Sequence, residues 1–270
     1  MNAKAKFSNK FVYSGIESLA LLAWGSLLLK YSLSGQLKLL IHPNYFGLVF
    51  VTSIILLVIG GIKTGQLFKQ WRKNKLSPVD ETIKHITLLP AGLGSSLLLI
   101  TALLGWIIPP TPLTSHIALQ RGVSDALFVN TRVQPQAFRA TIKPEERSLI
   151  DWVRTLNVYP EPDAYAGKKV KVSGFVVHLP ELPENYLFLS RFILTCCAVD
   201  AYPVGLPVKL SQNRSLYPPD TWLEIEGEMI TDTLAVDPQQ IKETATSQRQ
   251  LVINAQSVQK IPTPADPYGY

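Results

Sequence analysis

Thr221 to Ile230 reads TWLEIEGEMI, with Trp222, Glu224, Glu226 and Glu228 on one side and Leu223, Ile225, Gly227 and Met229 on the other. A period of two is that of a strand with one wet face and one buried face. Strand patterns also occur at Lys169–His178 (KVKVSGFVVH), Tyr186–Thr195 (YLFLSRFILT), Leu206–Leu210 and Leu251–Ile261. Gly174 and Gly227 interrupt two of them, as glycine does where a sheet bends or carries a bulge. Five strands in about 95 residues predict a small closed or partly open β-barrel of the OB type, with a five-stranded sandwich fragment as the competing fold. Just upstream, Pro144-Glu145-Glu146 has the chemistry of a helix first turn. Leu149, Ile150, Val153 and Leu156 then recur at helical spacing, flanked by Trp152, so a short amphipathic helix is expected to pack on the barrel.

The chain before this domain has a different character. Apolar runs cover residues 11–29, 45–62 and 86–108; the first holds one ionisable residue, Glu17, and the other two hold no Asp, Glu, Lys or Arg. About 20 apolar residues of helix cross a bilayer core. Helices apolar all round are not those of a water-facing surface. The expectation is an α+β membrane protein: a three-helix transmembrane region over 1–108, a linker over 109–143, the helix and OB-like domain over 144–262 and a tail over 263–270. The stretch Pro109-Pro110-Thr111-Pro112 ends the third helix. A cleavable signal over the first run, ending at Ser32-Leu33-Ser34, is the alternative for that segment, although it is long and has no Ala-x-Ala ending.

Charge distribution sets the topology and excludes one class of function. Residues 1–108 carry eleven Lys or Arg against three acidic residues, whereas residues 109–270 carry fifteen against seventeen. Nine basic residues lie before the first run or between the second and third, against Lys30, Lys38 and Arg121 on the opposite side. The positive-inside rule then puts the amino terminus in the cytoplasm and the β domain on the opposite, extracytoplasmic side of the membrane. The basic excess flanks the bilayer segments and the β domain carries none of it, so a nucleic-acid partner is rejected.

Cys196 and Cys197 are the only two cysteines, and they are neighbours, followed by Asp200. In a regular strand their side chains point apart; in a loop both sulfurs can reach one ligand. A buried structural cysteine with an incidental neighbour, soft-metal or metalloid binding, and dithiol–disulfide cycling are all compatible with this pattern. No CxxC or HxxxH spacing marks a four-ligand zinc site, and His116 and His178 have no spacing that ties them to the cysteines. No nucleophile elbow, phosphate loop or dinucleotide fingerprint occurs, so no enzyme activity is expected. In the membrane part, Glu17 lies near the cytoplasmic end of its span, where a carboxylate reaches the interface. His42 precedes Pro43 in an interfacial turn on the outer side.

Several segments together resemble the YcgQ-like family of bacterial membrane proteins. They are Ser34-Gly35-Gln36-Leu37 with Ile41-His42-Pro43; Gly174-Phe175-Val176; Arg191-Phe192 through Cys196-Cys197-Ala198 to Asp200-Ala201; Gly205-Leu206-Pro207-Val208; Trp222 to Gly227; and Asp266-Pro267-Tyr268 with Tyr270. Leu40 and Asn44 depart from the family's first loop, which carries an aromatic and a basic residue there. The resemblance implies a protein encoded beside a predicted permease and described as its subunit, with no established reaction and no catalytic residue to carry over. Some permeases of that type resemble exporters of trivalent arsenicals, which bind paired thiols. The expected function is therefore an accessory subunit of an integral membrane permease. Its outer domain would hold a soft metal ion, metalloid or thiol-reactive solute on Cys196 and Cys197, with Asp200 and Arg191 shaping the site. A membrane-anchored thiol redox protein and a structural protein-binding module are the alternatives.

Overall fold

The computed structural model describes residues 3–73, 92–123, 146–235 and 247–270, which fall into two compact units divided between Thr111 and Pro112. The first unit holds helices α1 (Ala3–Ser34), α2 (Phe46–Lys73) and α3 (Leu93–Ile107). The apolar parts of α1 and α2 are each long enough to cross a membrane. Of the third run, residues 86–91 lie outside the described residues, and α3 is an apolar helix of 15 residues.

Close approach of backbones packs this unit. Leu57 of α2 sits over Gly25 of α1, and Leu22 of α1 sits over Gly60 of α2; a Cβ on either glycine would come 2.9 Å from the facing leucine. Small residues that let helices meet this closely are a common device of helix contacts in lipid. Polar groups then fasten α3 to α1: Trp24 donates to the Leu98 carbonyl at 2.8 Å, and the Tyr31 hydroxyl donates to that of Gly105. The Lys30 ammonium lies 4.4 Å from the Trp106 ring centre. Outward, Leu48, Val51, Ile55, Val58 and Ile62 of α2 are exposed. In water such a row would be a large apolar patch, whereas in a bilayer it is the expected surface.

The second unit is a closed five-stranded barrel. Its strands are β1 (Lys169–Val177), β2 (Tyr186–Ile193), β3 (Tyr202–Lys209), β4 (Trp222–Ala235) and β5 (Ser247–Lys260), with a two-residue β6 (Tyr268–Gly269) beside β2. The closed order is β1-β2-β3-β5-β4, antiparallel throughout except for β3 with β5. This is an OB-like arrangement. Leu223, Ile225 and Met229 are buried in the core while Glu226 is exposed, as the alternation of TWLEIEGEMI requires. The register slips beside Gly227, where Glu226 pairs with Ser257 and Gly227 with Ala255. That is the bulge the glycine predicts, and a Cβ on Gly227 would lie 2.1 Å from the Asn254 carbonyl oxygen. Strand β3 begins four residues before the sequence pattern places it. Pro203 and Pro207 stand four apart, so their missing donors face the same side of the strand and one ladder edge stays intact.

Helix α5 (Leu149–Val158) closes the barrel core with Leu149, Ile150, Trp152, Val153 and Leu156. Pro144 and Glu145, read as its first turn, lie outside the described residues; Ser148 and Asp151 form a reciprocal capping box at the start of α5. Trp222, placed by its parity among wet-face glutamates, is buried on the outside of the barrel. Its ring lies 5.8 Å from that of Phe175, which stacks on Phe192 at 5.4 Å, and Tyr268 meets Phe192 edge-on. The chain entering the unit is pinned nearby. The Leu113 amide donates to the Tyr268 hydroxyl at 2.8 Å, and the first amide of helix α4 (Ser115–Gln120) donates to the Asp220 carboxylate. Asp220 adopts a left-handed backbone (φ 68°), in a turn where its own amide donates to the Val176 carbonyl.

Candidate functional site

The loop from Leu194 to Ala201 joins β2 to β3 and carries both cysteines. It has little side-chain packing of its own: Cys196 is exposed, Cys197 half-buried, and Val199 at the tip is 84% exposed. Hydrogen bonds hold it instead. The Asp200 carboxylate accepts the amides of Cys196 at 2.9 Å and of Thr195 and Cys197 at 3.3 Å each, while the Asp200 amide donates to the Cys197 carbonyl. This folds the chain back on itself and ends the strand alternation that would send the two sulfurs to opposite faces. Their Sγ atoms stand 3.7 Å apart, far beyond a bonded disulfide and within contact of one common ligand.

From the other side, the Arg121 guanidinium donates to the carbonyls of Ala198, at 3.0 Å, and Ala201. Asp200 thus gathers the loop's amides and Arg121 its carbonyls. Cys196 Sγ, Cys197 Sγ and an Asp200 oxygen all lie within 4.8 Å of one another, and among the described residues they are the one group of this kind that can hold a metal ion.

The electrostatics follow from the same contacts. Hydrogen bonding to the Asp200 carboxylate, then to Cys197, pushes the Cys196 thiol up to about 12, so it stays protonated at neutral pH. For Asp200, partial burial acts upward but is outweighed by the bonds from the Cys196 thiol and the three amides, which hold its carboxyl below the ordinary range. The resting Cys196 thiol is a poor nucleophile, since the thiolate is the reactive form. A thiophilic ion binds thiolate, so it would displace the Cys196 proton as it entered.

Two stretches of the chain match a family of proteins: residues 16–124 match the DUF1980 N-terminal domain and residues 130–270 the DUF1980 C-terminal domain. The chain belongs to the DUF1980 family. None of the curated proteins compared with it matches. The two halves of a DUF1980 chain do not divide where its compact units do. Residues 112–123 fall within the N-terminal match, yet they belong to the second compact unit and bring Arg121 to the cysteine loop.

Of the residues singled out by sequence, Cys196, Cys197 and Asp200 are brought together. Arg191 lines a separate cavity of about 250 Å³ at the barrel surface, which none of the cysteine-loop residues lines. His178 is satisfied by the Tyr217 carbonyl at 2.9 Å, and His116 is exposed on α4. Glu17 pairs with Lys63 of α2 at 3.5 Å, beside a largely apolar cavity of about 360 Å³ that Trp24, Leu56 and Ser95 also line. The His42 ring accepts the Asn44 amide at 3.2 Å and caps the turn before α2. Arg121 is the residue that sequence reasoning missed as a site member. It counts there only as a loop charge, and no spacing links it to carbonyls 77 and 80 positions away.

Proposed function

We propose that this protein is a membrane-anchored accessory subunit of a permease, whose extracytoplasmic barrel presents Cys196 and Cys197 to a soft metal ion or metalloid. The observation that carries the reading is the sulfur separation of 3.7 Å on a loop already folded by Asp200. Two thiolates bound about 2.3 Å from a tetrahedral ion stand about 3.8 Å apart, so the pair needs little rearrangement to bind. A structural zinc site is closed by four protein ligands, whereas two sulfurs and one carboxylate leave a position open. An open, exposed site suits a cargo that is handed on rather than an ion that holds the fold together. The helices supply the membrane residence this role needs, and the exposed Val199 offers an apolar contact for a partner beside the site. Orientation with the barrel outside the cytoplasm rests on the distribution of basic residues. The redox alternative is less favoured, because a thiol held protonated by Asp200 is a slow attacking group.

The test uses the reduced full chain in detergent, titrated with Cd(II), Zn(II) and arsenite under anaerobic conditions. One equivalent should bind, with release of thiol protons for the two metal ions and with loss of water for arsenite, whose hydroxyl groups leave with those protons. Cys196→Ser or Cys197→Ser should weaken binding by at least about a hundredfold, no less than losing an outer-shell partner costs. Binding that is absent, or unchanged in the double serine variant, would overturn the metal reading. Affinity purification from native membranes tests the permease separately: a stoichiometric multispanning partner is expected, and recovery of the chain alone counts against it.

A further inference from the structure

Arg191 and Arg147 line the 250 Å³ cavity together with Lys171, Ser173, Glu224 and Glu146. The cavity lies where the barrel seam loosens. Strands β1 and β2 are paired from Phe175 with Ser190 to Val177 with Phe188, and the pairing stops at the residue before Arg191. The charges in the cavity are unequally satisfied. Lys171 is taken up by Glu224 at 3.1 Å and Glu226 at 2.7 Å. The Arg191 guanidinium has five N–H donors to place. It makes one long bond, 3.4 Å to the Asp266 carbonyl, and lies 5.5 Å from the Trp222 ring centre, while its Nε is buried with no acceptor. Arg147 makes a face contact with the Trp152 ring at 5.1 Å and forms no ion pair among the described residues.

We infer that this cavity is a binding site for a small oxyanion, a carboxylate or phosphate group, held between Arg191 and Arg147. Planar guanidinium groups match the two oxygens of such a group bidentately, and a buried donor with no acceptor is costly until one arrives. Among the described residues the lining carries three cations, Arg147, Lys171 and Arg191, against two carboxylates, Glu146 and Glu224. Glu226, which shares Lys171 with Glu224, and Asp266, whose carboxylate accepts the Tyr270 hydroxyl at 2.8 Å, lie outside the lining. Lys171 is held by its two glutamates, so an entering anion meets the two arginines, neither of which is in an ion pair among the described residues. The site shares no residue with the cysteine loop, so it stands whether or not that loop binds metal.

The experiment titrates the full chain in detergent with inorganic phosphate and, separately, with acetate, at constant ionic strength in chloride, following tryptophan fluorescence and heat. Trp222 and Trp152 carry the two arginines on their faces and report occupancy directly. Saturable binding is expected, weakened at least tenfold by Arg191→Gln and by Arg147→Gln. Arg249→Gln, which removes an exposed partner of Asp163, should leave it unchanged. A preference for phosphate or for acetate identifies the group. Should Arg191→Gln fail to fold, Arg147→Gln alone decides. Equal affinity in Arg147→Gln and the parent protein, or a response that tracks only ionic strength, would sink the proposal.

Discussion

The barrel interior and the cysteine loop lie next to each other along the chain and are held in opposite ways. The interior is fixed by close contact of apolar side chains and backbones: Leu223, Ile225, Met229 and Ile253 are completely buried, and Gly205 and Gly227 sit where even a methyl group has no room. Between its buried ends, Leu194 and Ala201, the loop beside it packs little and depends on two charged side chains gripping its backbone. A packed core resists any change of volume, whereas a hydrogen-bonded loop can exchange partners at little cost. Rigid strands thus carry a loop soft enough to accept an ion and release it.

The largest expected effect comes from attacking the rigid side. A Cβ at Gly205 would lie 2.1 Å from the Leu189 carbonyl oxygen, a backbone atom with no rotamer to escape into. Gly205→Val should therefore cost about 3 kcal/mol or more, the upper range for overpacking. Chemical denaturation followed by near-ultraviolet circular dichroism would show it. An unchanged midpoint would mean that β2 and β3 separate easily there, and the contrast with the loop would collapse.

How much of this contrast is legible in the sequence depends on the range of the interaction. Alternation over Thr221–Ile230 gives the strand, its buried face and the bulge at Gly227, because all three are set by near neighbours. The barrel closure follows from strand number and glycine bends. Trp222 is misplaced by parity alone, since its cover comes from Phe175, and the aromatic cluster continues through Phe192 to Tyr268, far away in sequence. At the site, Cys196, Cys197 and Asp200 are close enough in the chain to be read as a unit. Arg121 is not, because a guanidinium that grips backbone carbonyls leaves no residue-type signature at the other end. Arg191 stands five residues before Cys196 yet lines another cavity, because the loop turns away after β2 ends at Ile193.

A middle-sized effect should come from Asp200→Asn, which keeps the shape and removes the charge. Without the carboxylate, the Cys196 thiol should fall from about 12 toward an ordinary cysteine value. Alkylation by iodoacetamide at pH 8 should then quicken by at least about tenfold, since rate follows the thiolate fraction. In the parent protein the rate at Cys196 should climb only in strong alkali. The same pair gives an acid limb of known sign. The Asp200 carboxyl is held below its ordinary range, so loop order is fully present above the unfolded carboxylate pKa and is lost as pH falls through the folded one. Amide exchange of Thr195 to Cys197 in acid would register it. An alkylation rate equal in both proteins would remove Asp200 as the controller of the thiol.

The smallest effect separates grip from chemistry. Arg121 touches neither sulfur; it holds the Ala198 and Ala201 carbonyls from a segment that joins α3 to the barrel. Arg121→Gln should leave global stability within about 1 kcal/mol, the net worth of a typical hydrogen bond. It should leave the alkylation rate of Cys196 close to that of the parent, because the bond from the thiol to Asp200 is intact. Cadmium affinity should nevertheless drop a few-fold, as the loop pays more entropy to bring its sulfurs to one ion. Arg121→Lys should recover only part of that loss, since an ammonium cannot span two carbonyls with the fixed fork of a guanidinium. If both variants bind cadmium as the parent does, the amide grip of Asp200 suffices, and the segment from α3 is a tether with no hold on the site.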